Sequence, residues 1–380
     1  MSYIDDILEV AARKREEIWK KIRVLGAKEE EAKEIIEKKM ISPPLLSSRM
    51  NLPHPAKVAA VDGGSFPLSM LGFELYFIKS YAVKFLYESS TGNYVDGGES
   101  RIVDVDVLIP PSLSQDRITV YRQISELRAM NNSLDSGFLT LADGSIESLI
   151  SRPAHMKLRD LRREDESLCH KTLELIQREE REDTAIAVKG FIERELSNEP
   201  ERAKTLEMVE KAVRIKMLFE KISEGRMLAF VTKTGRSNRL FNLPIPDQYV
   251  LTKLTMREGY IVEGKYESFE EAVGEELTEL CGLKESAENL SFISGYARLY
   301  RGAPVLKVQL LSPKMKGSSL DALFEDLVLK LASLSSEDGY PFPLLIAHQR
   351  AHIEKRITAI VADALGLREE LSGREEIDVL

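Results

Sequence analysis

Val58-Ala59-Ala60-Val61-Asp62-Gly63-Gly64-Ser65 and Phe138-Leu139-Thr140-Leu141-Ala142-Asp143-Gly144-Ser145 follow the same pattern: an apolar strand-forming run, then aspartate, glycine and serine. A carboxylate that closes a buried strand, with glycine after it, is held rigidly and stays open to a ligand. Asp-Gly is also an ordinary turn dipeptide, so either motif alone reads as well as a turn. Taken together they read as two interior strands delivering aspartates to one point. Convergent carboxylates repel one another, and a hard divalent cation relieves that repulsion.

Between the two motifs lies Glu126, in Tyr121-Arg122-Gln123-Ile124-Ser125-Glu126-Leu127-Arg128-Ala129-Met130. The spacing predicts a helix from about Asp116 to Leu134. Ile124, Leu127 and Met130 mark its buried face and leave Glu126 near the boundary. A solvated glutamate is the competing reading; its position between the aspartates makes Glu126 a candidate.

Around this centre the pattern is α/β. An amphipathic helix or hairpin over Tyr3 to about Met40, with Ile4, Leu8, Ala11, Ile18, Ile22 and Leu25 near helical spacing, stops at Pro43-Pro44. Strands are predicted at Lys57–Val61, Phe73–Leu86 and Ile102–Leu108, with turns at Gly92-Asn93 and Gly97-Gly98. From Arg152 to Gly225 the sequence is charged and helical (Leu158–Glu164, Leu173–Glu182, Glu201–Glu224) and reads as an insertion within a split α/β domain. Strands resume at Met227–Val231, Tyr249–Thr255, Tyr260–Val262, Phe292–Leu299 and Val305–Leu310. Helices near Ser319–Ser333 and His348–Leu365 and a loose acidic tail close the chain.

Of the 380 residues, 43% are hydrophobic and 30% charged, a globular composition that argues against global disorder. The acidic start, Ser2-Tyr3-Ile4-Asp5-Asp6, lacks the basic region of a signal peptide, and no apolar run reaches the roughly 20 residues of a transmembrane helix. Cys169 and Cys281 are far apart and outside any CxxC, which indicates neither a disulfide framework nor a zinc site. The expectation is a cytosolic protein. A net charge of −9 argues against non-specific coating of nucleic acid, but does not exclude a local basic channel.

That basic stretch exists. Arg226, Lys233, Arg236 and Arg239 fall within an acid-free segment that spans the Met227–Val231 strand and the residues after it, and read as phosphate contacts or as a solvated loop. Lys233, at the strand end, is placed to stabilise charge on a transferring phosphoryl group. In Gly339-Tyr340-Pro341-Phe342-Pro343-Leu344-Leu345-Ile346-Ala347-His348 a strand-like run passes into a helix, making His348 a metal ligand, a general base or a satisfied core group. His348 and His352 lack the glutamate of HExxH, which rules out a zincin, and neither GxxxxGK[ST] nor GxSxG occurs.

In this order, Ala59-Ala60-Val61-Asp62-Gly63-Gly64-Ser65, Glu126, Leu141-Ala142-Asp143-Gly144-Ser145, Lys233 and Gly339-Tyr340-Pro341…Ala347-His348 resemble the NurA family of archaeal and bacterial nucleases, from about Lys57 to His352. The Arg152–Gly225 region carries no matching motif, and Gly63-Gly64-Ser65 has one glycine more than the familiar form. The resemblance implies an RNase H-like mixed-sheet core that dimerises into a ring with a DNA channel. It implies manganese-dependent DNA cleavage, as a 5′-to-3′ exonuclease and single-strand endonuclease. It also implies a hexameric ATP-driven translocase, HerA, as partner in double-strand-break end resection, which fits the missing P-loop.

By the same resemblance Asp62, Glu126, Asp143 and His348 are metal ligands, Tyr340 lines the site and Lys233 assists. The chemistry expected is two-metal hydrolysis with Mn²⁺ or Mg²⁺ ions roughly 3.5–4 Å apart, with Asp62 as the bridging ligand at the centre of the sheet. The expected division is an N-terminal helical segment (1–45), a nuclease domain split over 46–150 and 226–366, the insertion (151–225) and the tail (367–380). A catalytically silent adaptor of a DNA-translocating ATPase and a phosphohydrolase of small esters are the competing readings. The intact carboxylates disfavour the first, and the helical insertion and basic stretch disfavour the second.

Overall fold

The computed structural model describes residues 3–22, 28–109, 114–151, 165–197, 199–273 and 280–367. Helices α1 (Tyr3–Ile22), α2 (Glu29–Lys39) and α3 (Pro44–Ser48) precede a meander of strands β1 (Lys57–Ser69), β2 (Glu74–Glu88) and β3 (Asn93–Leu108). Then follow α4 (Ser114–Asp135), β4 (Leu139–Asp143), α5 (Ile146–Ile150), α6 (Asp165–Glu179), α7 (Lys189–Glu195), α8 (Pro200–Ser223) and β5 (Leu228–Thr232). The rest comprises α9 (Asp247–Leu254), β6 (Gly259–Tyr266), α10 (Phe269–Val273), α11 (Leu283–Ala287), β7 (Leu290–Arg298), β8 (Leu306–Pro313), α12 (Gly317–Ser333), α13 (Phe342–Ala351) and α14 (Lys355–Ala364).

Among the described residues one sheet carries all eight strands, in the order β3-β2-β1-β4-β5-β8-β7-β6. The meander is antiparallel, and β4 and β5 then join parallel to β1, with α4 as the crossover between β3 and β4. This is the mixed sheet of the RNase H-like core that the resemblance implies. Both β1 and β4 are interior strands, and Val58, Ala59, Ala60, Leu141 and Ala142 are fully buried. Strands covered on both faces read as continuous apolar runs, which is how these two were recognised.

The faces have different covers. Val58, Ala60, Leu139 and Leu141 share a core with Leu320, Phe324 and Val328 of α12 and Leu344 and Ala347 of α13. Val61, Ala142 and Phe230 share another with Leu127, Met130 and Leu134 of α4 and Ala212, Ile215, Leu218 and Phe219 of α8. Side chains alternate along a strand, so Asp62 and Asp143 follow the first set toward α13.

Several expectations are overturned. Tyr249–Thr255 is no strand: most of it lies in helix α9, because Pro246 opens a helix whose Val250 and Leu251 pack with Phe241 and Tyr296. The run through His348 is helical from Phe342, with Pro341 preceding it and Pro343 in the first turn, where proline's missing N–H is tolerated. Gly97-Gly98 lies inside β3, where the register slips between Val83 and Phe85 and Gly98 takes φ +94°, so the glycines form a bulge while Gly92 makes the turn. Cys169 and Cys281 form a disulfide tying α6 to the turn before α11, with Cα atoms 5.7 Å apart. Sequence spacing is blind to such a pair, because the contact is tertiary.

At the N-terminus two helices form; Ile4, Leu8 and Ala11 of α1 are exposed, whereas Ala32 and Ile36 of α2 are buried beside Phe241 and Leu243. The Ile18 and Ile22 side chains, Leu25, the predicted Leu158–Glu164 helix and the acidic tail lie outside the described residues. No described helix is long and apolar enough to cross a membrane.

Candidate metal centre

Asp62 sits within a strand and not at its end. β1 runs on to Ser69, with Gly63 paired to Ser80 and Gly64 to Lys79. What the glycines supply is space. A Cβ on Gly63 would lie 2.5 Å from Glu126 Oε1 and 2.8 Å from Ser80 Oγ, and one on Gly64 would strike the Ala351 carbonyl at the end of α13. Gly63 alternates toward α4, on the face opposite Asp62. Its missing side chain therefore lets Glu126 come down from the α4 layer to the level of the aspartates.

Asp143 ends β4 one register step beyond Ala142, which faces Val61 of β1, so the two aspartates are neighbours on adjacent parallel strands. Gly144 turns the chain with φ +104°, and Ser145 caps α5 by accepting the Ser148 N–H at 3.3 Å. His348, in the last turn of α13, places Nδ1 2.8 Å from Asp62 Oδ2 and 3.9 Å from Asp143 Oδ2. One ligand atom from each of Asp62, Asp143 and His348 lies within 4.8 Å of the others. Glu126 joins the aspartates in a cleft of about 270 Å³ also lined by Arg122, Gln123, Ser145 and Ser148. Tyr340 is buried beside Asp143, held by the turn at Gly339, and Lys233 Nζ lies 4.0 Å from the centre of its ring. All six residues singled out in the sequence thus fall in one region.

The electrostatics are those of a crowded anionic site. Burial raises the Glu126 carboxyl to about 7; Arg122 opposes this, while the charges of Asp62 and Asp143 add to it. Asp143 is raised by burial and by Asp62, against Lys233 and His348. Burial and the charges of Asp143 and Asp62 push the Tyr340 hydroxyl up, so it stays a protonated donor. Oxygen donors with one imidazole suit Mn²⁺ or Mg²⁺ better than a thiolate-seeking ion, and the residues fit such a cation.

Residues 56–353 match the family described as NurA domain. The chain belongs to that family. Every candidate from Asp62 to His348 lies inside the matched NurA region. The chain is 22% identical over 382 residues, 97% of each protein, to the DNA double-strand break repair nuclease NurA of Sulfurisphaera tokodaii. Its fold is similar to that of the NurA nuclease from Sulfolobus solfataricus (TM-score 0.66, 18% identity, 96% of this chain and 97% of that one). It is similar also to NurA bound to dAMP and manganese (TM-score 0.63, 15% identity, 91% and 95%). At these identities the solved NurA structures establish the fold.

Arg122 in this NurA cleft, and Lys211 bonded to its Gln123, escaped the sequence reading. Arg122 pairs with Glu126 at 2.5 Å, a contact that i, i+4 spacing on the helix could have suggested. Lys211 of α8 is buried and donates to Gln123 Oε1 and the Ser151 carbonyl, both at 2.8 Å; burial lowers it to about 7, with Glu126 opposing. No local signal marks Lys211, because its partners lie on other elements.

The Glu126 shift fixes a pH dependence. Between its ordinary value of 4.5 and about 7, the folded protein retains a proton that the unfolded chain has released. The destabilisation is therefore absent below about 4.5, grows as pH rises, and is complete above about 7. In EDTA, Glu126→Gln is expected to match wild type at pH 4 and to exceed it by about 3 kcal/mol at pH 8. Urea unfolding across pH checks this, and an equal gain at both ends of the range contradicts it.

Proposed function

We propose that this protein is a manganese-dependent DNA nuclease that hydrolyses phosphodiester bonds at the cleft of Asp62, Glu126, Asp143 and His348. The observation that carries this is the juxtaposition of Asp62, Asp143 and His348 ligand atoms within 4.8 Å, with Glu126 in the same cleft, in a chain of the NurA family. Manganese or magnesium ions bound there supply Lewis acidity and an activated water at neutral pH.

The chain's own residues supply the rest. Asp62 and Asp143, fixed by adjacent parallel strands, hold cation ligands without needing to reorganise. Glu126 completes the set once deprotonated, and Arg122 then orients its second oxygen. His348 Nδ1 faces the carboxylates from a half-exposed position open to solvent, suited to ligation or to carrying a proton. The Lys233 ammonium, held over the Tyr340 ring, brings a positive charge to the reacting phosphate, while the buried Tyr340 hydroxyl stands against Asp143. The site draws on residues before and after the α6–α8 segment, which supports a nuclease domain split as 46–150 and 226–366.

Cleavage of end-labelled single-stranded and duplex DNA in Mn²⁺, Mg²⁺ or EDTA tests this directly. Wild type is expected to cut with Mn²⁺, as both a 5′-to-3′ exonuclease and a single-strand endonuclease, and Asp62→Ala to fall to the EDTA background. Absence of cutting by wild type in any metal favours the silent adaptor.

The protein is further proposed to act as a homodimer in end resection with a hexameric ATPase of the HerA type. The exposed Ile4, Ile7 and Leu8 of α1, at 64%, 51% and 62% exposure, offer an apolar stripe for that contact. Ala32 and Ile36 belong to a core, so the informative truncation removes residues 1–22 and spares α2. The truncated protein is expected to lose co-elution with the ATPase while remaining folded; retained co-elution contradicts this docking site.

A further inference from the structure

A second groove, of about 430 Å³, adjoins the carboxylate cleft and shares Gly144, Ser145 and Ser148 with it. Its outer wall is the loop after β5, including Thr234, Gly235, Arg236, Ser237, Asn238 and Arg239, and its base holds Lys307 and Glu147.

Buried side chains hold this loop in shape. Gln248 of α9 donates to the Lys233 carbonyl at 2.7 Å and the Thr232 carbonyl at 3.3 Å, and accepts the Gly235 N–H. Asp247, fully buried, accepts the N–H groups of Leu240 at 2.9 Å and Phe241 at 3.1 Å. Its own N–H donates to the Ser237 carbonyl at 2.8 Å, and Asn238 Nδ2 donates to the Leu243 carbonyl at 2.6 Å. The inward-facing polar groups thus fix the backbone. Arg236 and Arg239 instead are exposed and make no ion pair among the described residues. Lys307 differs: Glu147 at 3.4 Å and Glu263 at 3.6 Å already neutralise it. The uncompensated charge of the groove is the arginines'.

In a chain of net charge −9, two unpaired guanidinium groups on a braced loop, beside a phosphodiester-cleaving centre, match the fork geometry of phosphate oxygens. Their support is pre-organised, so less freedom is lost on binding than for flexible surface lysines.

We propose that Arg236 and Arg239 are positioning residues that grip the backbone phosphates of a DNA strand next to the scissile one, so that the strand runs from this groove into the carboxylate cleft. This rests on the nuclease reading of that cleft. It requires no base contact, so the grip is independent of sequence.

The test is binding of a fluorescent twelve-nucleotide oligo-dT, by anisotropy in EDTA over a range of salt. R236A/R239A is expected to bind about tenfold or more weakly at low salt, and to flatten the log Kd–log salt slope by about 1.4, two phosphate contacts on a single strand. R236K/R239K is expected to recover most of that slope, which separates lost charge from a damaged loop. R178A/R194A, on α6 and α7, removes as much charge from an exposed surface and is expected to leave the slope unchanged. A slope in R236A/R239A equal to wild type, an equal flattening in R178A/R194A, or no wild-type binding overturns the proposal. Because the readout needs no cleavage, a protein that shows the slope change yet cuts no DNA in any metal sinks the nuclease reading alone.

Discussion

Mutual repulsion of carboxylates is the constraint on which this architecture depends. Asp62 and Asp143 stand on neighbouring parallel strands, and Glu126 meets them from the opposite layer in one cleft. Burial holds the Glu126 proton up to about 7, and the charges of Asp62 and Asp143 add to that shift. Surrounding positive groups compensate only in part: Arg122 against Glu126, and Lys233 and His348 against Asp143. A site left short of positive charge is suited to a divalent ion, and the sheet and helices hold it open against that repulsion.

Two faces of one sheet contribute to the centre, and Gly63 is what permits it. Strand alternation sends Asp62 and Asp143 toward α13, where His348 meets them, while Glu126 belongs to α4 on the other side. Any side chain at position 63 would occupy the Glu126 position. Gly64 does the same for the end of α13, so both glycines are explained by close approach and not by a turn.

This explains what the sequence did and did not reveal. Apolar runs ending in Asp62 and Asp143 were legible because strands buried on both faces need such runs, and Glu126 was legible from its place between them. The Gly63-Gly64-Ser65 continuation was misread as a strand end because glycine and serine favour turns. In the structure, thirteen ladder partners on β2 carry β1 through to Ser69, a tertiary constraint without local signature. Residues 249–255 and 342–348 failed for a related reason: short apolar runs do not distinguish strand from buried helix, and the prolines at 246, 341 and 343 were the better guide. Arg122 was within reach of helix spacing; Lys211 and the Cys169–Cys281 bridge were not.

The central claim is that Asp62, Glu126, Asp143 and His348 hold metal in one cleft. Electron paramagnetic resonance of free Mn²⁺ during titration into the protein, without DNA, tests it most directly. The account predicts saturable uptake by wild type that is lost in Asp62→Asn and Asp143→Asn, and a magnetic coupling of bound Mn²⁺ to an imidazole nitrogen that disappears in His348→Ala. Equal uptake by wild type and both aspartate variants, or none by wild type, would contradict it.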